Sequence, residues 1–331
     1  MPTPFSSLRR RSLIAAAAAP WLASAWQAAQ AQSWPSKPIR LVVPFAPGGA
    51  SDTIARLISD QLPRRLGQPV VIDNKPGGST IIGVDAVAKA APDGYTLLLA
   101  GVGSYSVLPA LRKNLPFQID RDLAMLALVS YTPNVLVTAS NKPYASLADF
   151  IRQAKARPGD LRYVTYGEGG ANHLCGVMLE NAAGIKMDAI PYKGAADAKL
   201  ALLRGDVDLS FETLASVGGE LRSGRLRALA IGSPERSKLL PSVASLTELG
   251  LGQAAVQPFF GFSMPSGTPQ AIRDRLSREL IDIMSQAEAR DRSTAAFLEP
   301  VALGPDDMRT LVNRETESFR RVAQQLKLNL D

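Results

Sequence analysis

The sequence predicts an α/β fold organised as two mostly parallel domains. Strand-length apolar runs alternate with helical segments along most of the chain, and several of these runs are followed by a glycine-rich turn and then a helix. Strands that alternate with helices in this way form parallel sheets with right-handed crossovers. The chain has 331 residues, more than a single hydrophobic core usually organises, so two domains are expected.

The first thirty-one residues have the order of a signal peptide. Three arginines at positions 9–11 precede an apolar segment at residues 13–19, and Ala29-Gln30-Ala31 is a small-x-small cleavage site. We therefore expect export to the periplasm and cleavage after Ala31. The pair Arg10–Arg11 fits either the Sec or the twin-arginine route, and both remain open.

Composition excludes several classes of function. The formal net charge is +7, and it is +4 without residues 1–31, which contain three arginines and no acid. Lys and Arg are scattered among acidic residues, so no nucleic-acid partner is expected. With one cysteine, Cys175, and one histidine, His173, the chain cannot form an intrachain disulfide and lacks the ligands of a zinc site. We predict no metal and no cofactor.

The first strand, turn and helix form the unit around which the chain is organised. Residues 39–45 are an apolar run typical of a buried strand, and Pro47, Gly48 and Gly49 end it. Ser51 or Asp52 is expected to cap a helix whose apolar residues recur at positions 54, 57, 58 and 62. Such a turn directs backbone N–H groups and the positive end of the helix dipole beyond the strand, which favours an anion.

Two further units repeat this design. Residues 70–73 are a predicted strand, and a turn follows at residues 74–78. The stretch 79–90 is predicted to be a small polar cap and then a helix that starts with Ile81 and Ile82. Residues 95–100 form a third strand, and the loop after it contains Gly103 and Ser104. That loop is not a dinucleotide fingerprint, because Ser106 stands where the third glycine is required. Ligands of such sheets bind beyond the carboxyl ends of the strands.

The chain is then predicted to enter a second α/β module. Residues 123–138 contain two apolar runs, of which the second leaves the first domain. A helix at 147–156 and strands at 161–165, 187–192, 207–211 and 226–231 follow, and Leu200 and Leu203 are expected to anchor the helix that ends at Gly205. Asp206 and Asp208 do not form a calcium loop, because Phe211 stands where an EF-hand needs its glycine.

The last part of the chain is predicted to return to the first domain. Residues 259–262 are apolar, and the helices around residues 272–283 and 305–326 each carry one apolar face. Phe260 either lines a cleft or belongs to the core. The predicted organisation is therefore a signal peptide at 1–31, a first domain at 32–132 and 256–331, and a second domain at 133–255.

Several motifs resemble the Bug family of extracytoplasmic solute receptors, the substrate-binding subunits of tripartite tricarboxylate transporters. They are P-F-x-P-G-G-x-x-D-x-x-A-R at residues 44–56, N-x-P-G at 74–77, A-x-P-D-G-Y-T-L-L at 90–98, H-L at 173–174, P-Y-K-G at 191–194 and P-x-G-T-P at 265–269. The resemblance implies a periplasmic binding protein of the Venus flytrap type, with a cleft between its domains. It also implies a monomeric receptor, without enzymatic activity, that captures a small organic carboxylate. Such a receptor presents its ligand to membrane transporter subunits and touches the membrane only through them.

The resemblance implies that the glycine-rich turns and their neighbours bind the ligand. These residues are Phe45, Pro47, Gly48, Gly49, Asp52, Gly78, Ser79, Thr80, Gly103, Ser104, Tyr166, Gly167, Gly169, Gly170, His173, Tyr192, Lys193 and Phe260. Backbone N–H groups and hydroxyls are expected to hold the anion, with Lys75 and Lys193 as minor contributors. The identity of the carboxylate stays open.

Two other functions compete with transport. A receptor with the same cleft can serve as the ligand sensor of a membrane signalling kinase, and the sequence does not separate the two roles. A secreted serine hydrolase would have to combine Ser51 or Ser79 with His173. Neither serine lies in a G-x-S-x-G elbow.

Overall fold

The computed structural model describes residues 34–167, 171–192 and 195–325. The first part of the chain runs through β1 (Ile39–Val43), α1 (Ala50–Leu66), β2 (Val70–Asn74), α2 (Ile81–Ala88) and β3 (Thr96–Gly101). It continues through α3 (Leu108–Leu111), α4 (Ile119–Asp122) and β4 (Leu123–Tyr131). Ile54, Ile58 and Leu62 of α1 are fully buried, as their spacing predicts.

The middle of the chain builds a second α/β unit. Its elements are β5 (Asn134–Ala139), α5 (Leu147–Ala156), β6 (Arg162–Thr165), α6 (Ala171–Ala183), β7 (Asp188–Pro191), α7 (Ala195–Arg204), β8 (Ser210–Thr213), α8 (Leu214–Arg222) and β9 (Leu226–Ile231). The chain ends with β10 (Phe259–Pro265), α9 (Gln270–Ser285), α10 (Ala287–Ala295), β11 (Glu299–Leu303) and α11 (Pro305–Gln325).

The strands separate into two groups of sheets. One sheet has the order β11-β4-β10-β3-β1-β2 and belongs to what we call the first half. The second half contains the sheet β8-β5-β9 and the pair β6-β7, which a parallel bridge between Tyr163 and Leu209 connects. This is the two-domain α/β architecture that the sequence predicts, while the exact domain boundaries at 132/133 and 255/256 stay a prediction.

The strands are less uniformly parallel than predicted. The pairs β1-β2, β1-β3 and β6-β7 are parallel, whereas β10 pairs antiparallel with both β3 and β4, and β5 pairs antiparallel with β8 and β9. The reason is that β10, which returns from the second half, inserts between β3 and β4. Strands that are neighbours in space but distant in sequence leave no local pattern that reveals their direction.

These directions bring the carboxyl ends of two sets of strands to facing edges. In the first half, β1, β2, β3 and β4 run the same way, and β10 begins at the edge where they end. In the second half, β6, β7, β8 and β9 run together, and β5 begins at their carboxyl edge. Because β4 leads directly into β5, the two edges meet where the chain crosses between the halves.

Backbone hydrogen bonds fasten the two crossings to each other. The Thr132 N–H donates to the Pro258 carbonyl at 3.0 Å, and the Gly232 N–H donates to the Asn134 carbonyl at 2.7 Å. The Val256 N–H also donates to the Gly232 carbonyl at 2.8 Å. Thr132 is fully buried here. Both connections between the halves therefore form one hydrogen-bonded hinge.

Of the two leucines predicted to anchor helix α7, Leu203 is half-buried and packs against the core, whereas Leu200 is not buried. Leu200 is 54% exposed, while Ala198, Ala201 and Leu202 are buried. The spacing i, i+3, i+4 of these three residues places them on one side of the helix, and the small alanines let it approach the sheet closely. Among the helices described, none combines the length and the apolar character needed to cross a bilayer.

Candidate functional site

The loop after β1 exposes glycine backbone at the facing edge of the first half. Pro47, Gly48 and Gly49 are all exposed. Gly48 has φ +95°, a conformation that favours glycine, whereas Gly49 has φ −96° and occupies the N-cap position of α1. An atom at the Cβ position of either residue would find nothing within 4 Å. The loop therefore presents its main chain to the space beyond β1.

Asp52 has a different role from the predicted helix cap. The helix begins at Ala50, so Asp52 lies inside the first turn, where its buried carboxylate accepts from the Gly48 N–H at 3.1 Å and the Arg56 Nε–H at 2.9 Å. The prediction that Ser51 or Asp52 caps α1 is wrong, because Gly49 already takes the extended N-cap conformation. Asp52 also places a negative charge at this helix N-terminus, which lowers its attraction for an anion.

The turn after β2 is the most strained backbone near the site. Gly77, Gly78, Ser79 and Thr80 have φ values of +122°, +55°, +53° and +82°. Helix α2 begins at Ile81, as predicted, but its N-cap residue Thr80 makes no capping hydrogen bond through its side chain. Left-handed conformations cost ordinary residues about 1–2 kcal/mol, and such strain clusters at functional sites. Gly78 and Ser79 are exposed, so their backbone is open to a ligand.

The loop after β3 joins this turn through a hydroxyl pair. Gly103 begins a π-helical turn that extends to Val107, a feature that often marks functional sites. The buried Ser104 hydroxyl donates to Thr80 Oγ1 at 2.9 Å. Because Thr80 accepts this bond, its own hydroxyl hydrogen can point toward a ligand. The predicted residues of the β2 and β3 turns are thus brought together.

Two aromatic side chains form a wall on the same edge. The rings of Phe45 and Phe260 meet edge to face, with centroids 5.9 Å apart. The Asn74 side-chain amide donates to the Phe45 carbonyl at 3.0 Å and so ties the β1 loop to β2. Gly101 leaves room for the Phe260 ring, because a Cβ there would lie 3.1 Å from it. Both phenylalanines are half-buried, so each also presents apolar surface.

The second half contributes residues that follow β6 and β7. Tyr166 and Gly167 come directly after β6, and Tyr192 follows β7, so all three lie at the carboxyl edge. Gly167 has φ +115° and turns the chain away from the sheet. The other predicted residues of these loops, Gly169, Gly170 and Lys193, lie outside the described residues.

His173 and Cys175 lie in the first turns of α6 and do not form a catalytic pair. The Tyr163 hydroxyl donates to the His173 carbonyl at 3.5 Å, and the Asn134 amide lies 3.8 Å from Cys175 Sγ. Cys175 is buried, and burial raises the pKa of its thiol to about 12. Such a thiol is inert at neutral pH.

Glu212 is a residue near the site that the sequence analysis missed. Its carboxylate is 6% exposed and accepts from the hydroxyls of Tyr166 at 2.7 Å, Ser210 at 2.6 Å and Ser216 at 3.2 Å. Burial raises the pKa of Glu212, and the three hydroxyl donors act against that rise. The predicted strand ended at Phe211, one residue too early to include it. The alternation of Ser210 and Glu212 with Leu209, Phe211 and Thr213 places a carboxylate inside a strand, and this is the signal that could have revealed it.

The residues predicted to bind the ligand do not coincide with the main cavities in the described part of the molecule. Three cavities among the described residues, of about 600, 420 and 350 Å³, are lined by other residues than those predicted to bind the ligand. Lys75 lies 3.6 Å from Asp73, so part of its charge is compensated. In the described part of the chain, no cluster of three or more His, Cys, Asp and Glu side chains could hold a metal ion.

Comparisons with known proteins agree with this architecture. The model of the tripartite tricarboxylate transporter family receptor matches residues 54–328. Protein BugT of Bordetella pertussis is 36% identical over 296 residues, which cover 89% of this chain and 91% of BugT. The structure of Rhodopseudomonas palustris Rpa4515 with adipate has a TM-score of 0.83 at 29% identity and covers 90% of this chain and 99% of that one. MatC of the same species, with bound malate, has a TM-score of 0.79 at 28% identity, covering 87% of this chain and 99% of MatC. The chain therefore belongs to the receptor family of the tripartite tricarboxylate transporters.

Proposed function

We propose that this protein captures a small organic carboxylate between its two halves and presents it to a tripartite tricarboxylate-type membrane transporter. The observation that carries this proposal is the pair of facing carboxyl edges, one of which bears glycine-rich turns and exposed backbone N–H groups. Family membership and the adipate and malate bound by two relatives support it. We further propose that the receptor works as a periplasmic monomer exported by residues 1–31, and that it does no chemistry on its ligand.

The ligand carboxylate is expected at the turn between β2 and α2. At the α1 N-terminus, Asp52 already accepts the Gly48 N–H and adds a negative charge. The β2 turn instead offers the exposed Gly78 and Ser79 and the Thr80 hydroxyl, whose oxygen already accepts from Ser104. The N–H groups of Thr80 and Ile81 already donate to the Gly77 and Gly78 carbonyls, so the other N–H groups of the turn and the Thr80 hydroxyl are left for an anion at this helix N-terminus. We therefore expect backbone N–H dipoles and the Thr80 hydroxyl to stabilise the negative charge of the carboxylate.

The first test is a screen of organic acids by thermal denaturation and calorimetry. A ligand that binds only the folded state stabilises it by about 2.7 kcal/mol at a hundredfold excess over its Kd. We expect at least one small carboxylate to raise Tm, and uncharged analogues of the same size to have no effect. Ester hydrolysis that disappeared in His173→Ala would contradict the receptor function.

The second test compares a hydroxyl with the nearest cation. Thr80→Val keeps the shape of the side chain but replaces the hydroxyl by a methyl group, so the Ser104 hydroxyl also loses its acceptor. Loss of a hydrogen bond to a charged group costs about 1.5–3 kcal/mol, so the Kd should rise about tenfold to a hundredfold. Lys75→Ala should change the Kd far less, because Asp73 lies 3.6 Å from the Lys75 ammonium. If Lys75→Ala raised the Kd more than Thr80→Val did, the ligand carboxylate would be held mainly by the charge of Lys75.

A further inference from the structure

The two sides of the candidate cleft differ in the hydrogen-bonding groups they offer. On the first half, Thr80 accepts from Ser104 and keeps its own hydroxyl hydrogen for another partner. On the second half, the Tyr166 hydroxyl hydrogen is directed to Glu212 Oε1 at 2.7 Å. A phenol that donates its single hydrogen retains only acceptor capacity on its oxygen. Thr80 can therefore donate to a ligand, whereas Tyr166 can only accept from one.

The surroundings of Glu212 fix this direction. Ser210 also donates to Glu212 Oε1 at 2.6 Å, while the single hydroxyl hydrogen of Ser216 is shared between Glu212 Oε2 at 3.2 Å and the Thr213 carbonyl at 2.8 Å. Burial and the neighbouring Glu212 raise the pKa of Tyr166 well above its usual range, so the phenol keeps its hydrogen at neutral pH. Lys199, whose charge acts against the rise of the Glu212 pKa, lies 3.2 Å from Glu220 and donates to the Ser216 carbonyl at 3.5 Å. Glu212 thus remains the acceptor and Tyr166 the donor.

The placement of Tyr166 makes this polarity relevant to a ligand. Tyr166 follows the last residue of β6, at the edge that faces the first half, and it is half-buried while Glu212 behind it is buried. From these observations, and building on the proposed function, we propose that Tyr166 selects carboxylates that carry a second group able to donate a hydrogen bond. The ligand class is hydroxy or amino carboxylic acids, with the carboxylate at the β2 turn and the hydroxyl or ammonium group at Tyr166.

The geometry assigns Glu212 the role of a positioning residue. It does not contact the ligand in this arrangement but determines which way the Tyr166 hydroxyl points. The negative charge of Glu212 lies directly behind the Tyr166 hydroxyl. It therefore also favours an ammonium group over an uncharged donor at that position. A plain carboxylic acid would leave the Tyr166 oxygen without a donor, and an unpaired polar group in a closed site lowers affinity.

The test measures Kd by calorimetry for acids that differ only in the donor group. The series are propionate with lactate and alanine, succinate with malate and aspartate, glutarate with 2-hydroxyglutarate and glutamate, and adipate with 2-aminoadipate. In the unmodified protein we expect a donor-bearing acid to bind at least about tenfold more tightly than its plain counterpart, which corresponds to about 1.4 kcal/mol. Tyr166→Phe should bring the two values within about threefold, mainly by weakening the donor-bearing acid.

Two further variants separate selectivity from stability. Glu212→Gln can direct an amide N–H at the Tyr166 oxygen, so it should also reduce the preference for the donor-bearing acid. Tyr144→Phe is the matched control, because the Tyr144 hydroxyl donates to the Asp208 carboxylate at 3.0 Å and Asp208 also accepts from the Arg162 N–H at the opposite end of β6. It should lower Tm but leave the ratio of the two Kd values unchanged.

The outcomes are distinguishable. If plain acids bind as tightly as donor-bearing ones, or if Tyr166→Phe keeps the original ratio, Tyr166 does not select the ligand and this inference is overturned while the carboxylate receptor stands. If none of the acids binds, the proposed function fails and this inference fails with it.

Discussion

Gly48 and Gly49 are neighbours at the site that differ in backbone conformation but not in available space. Both would accommodate a methyl group, since nothing lies within 4 Å of either Cβ position, yet only Gly48 has a positive φ. We expect Gly48→Ala to lower the free energy of unfolding by about 1 kcal/mol and to weaken ligand binding, because the loop must change its path. Gly49→Ala should be nearly neutral for stability. Denaturation and calorimetry of both variants check this, and equal effects would show that the loop conformation is not decisive.

Glu212 should make stability depend on pH in a way that its replacement removes. Its pKa is raised in the folded protein, so its contribution to stability is fully present below the pKa of an unfolded Glu, about 4.3, and is lost as pH rises through the folded pKa. Compared with the unmodified protein, Glu212→Gln should therefore be most destabilised at acid pH, and the difference should shrink as pH rises. Urea denaturation across the pH range measures this difference.

Glu248 provides the control of opposite sign. The Ser245 N–H and the Arg236 guanidinium lower the pKa of this exposed carboxylate, so its contribution is present above the unfolded pKa and lost as pH falls. Glu248→Gln should differ from the unmodified protein most at neutral pH. A difference that grows with pH for both variants would contradict the assignment for Glu212.

Single residues also show what the sequence could and could not predict. It proposed Phe45, Thr80, Ser104 and Phe260 as site residues, which stays a prediction, and the structure places them in two contacting pairs, Thr80 with Ser104 and Phe45 with Phe260. It did not predict the left-handed conformations of Ser79 and Thr80, because neither residue type signals a positive φ. This matters for experiments, since Ser79→Pro would impose a φ near −65° where the backbone has +53°.

Helix α8 packs against a segment of the first half through a glycine. A Cβ on Gly218 would lie 2.4 Å from the Phe297 ring, and Arg222 of the same helix lies over that ring at 4.7 Å. Gly219, next to it, has nothing within 4 Å of its Cβ position. We expect Gly219→Ala to stabilise the protein by up to about 1 kcal/mol through helix propensity. Gly218→Ala should instead destabilise it by about 1–3 kcal/mol through overpacking.

Thermal denaturation of Gly218→Ala and Gly219→Ala, which measures Tm, tests these two expectations. Because Phe297 precedes β11 in the first half and Gly218 belongs to the second, Gly218→Ala should also alter ligand affinity by shifting the halves. If the two alanines had the same effect on Tm, the contact between α8 and Phe297 would contribute nothing to stability.

For helices and strands, the local sequence pattern predicted where an element begins and ends, but not which strands pair with each other. The predicted bounds of α5 and β9 agree with the structure, because each is a short periodic segment with a clear stop. The direction of β10 could not be predicted, since it depends on where a strand from the end of the chain inserts into the first sheet. For the same reason, no local pattern indicated that Phe297 would contact α8.

At the scale of the whole molecule, export can be tested independently of binding. Residues 1–31 carry the features of a signal peptide, so the mature protein should begin at Gln32 or within a few residues of it. The intact mass of protein from a periplasmic fraction shows at which residue the mature chain begins. Recovery of a cytoplasmic protein that retains Met1 would contradict it.

The hydrogen-bonded hinge restricts how the two halves can move. Because Thr132 bonds to Pro258 and Gly232 bonds to Asn134, neither crossing can shift without the other. Sliding and twisting are thus resisted, and rotation about one axis is the motion that remains. Opening and closing then form a process with a single degree of freedom. Two pairs of spectroscopic probes placed at different points across the cleft should report the same transition at the same ligand concentration.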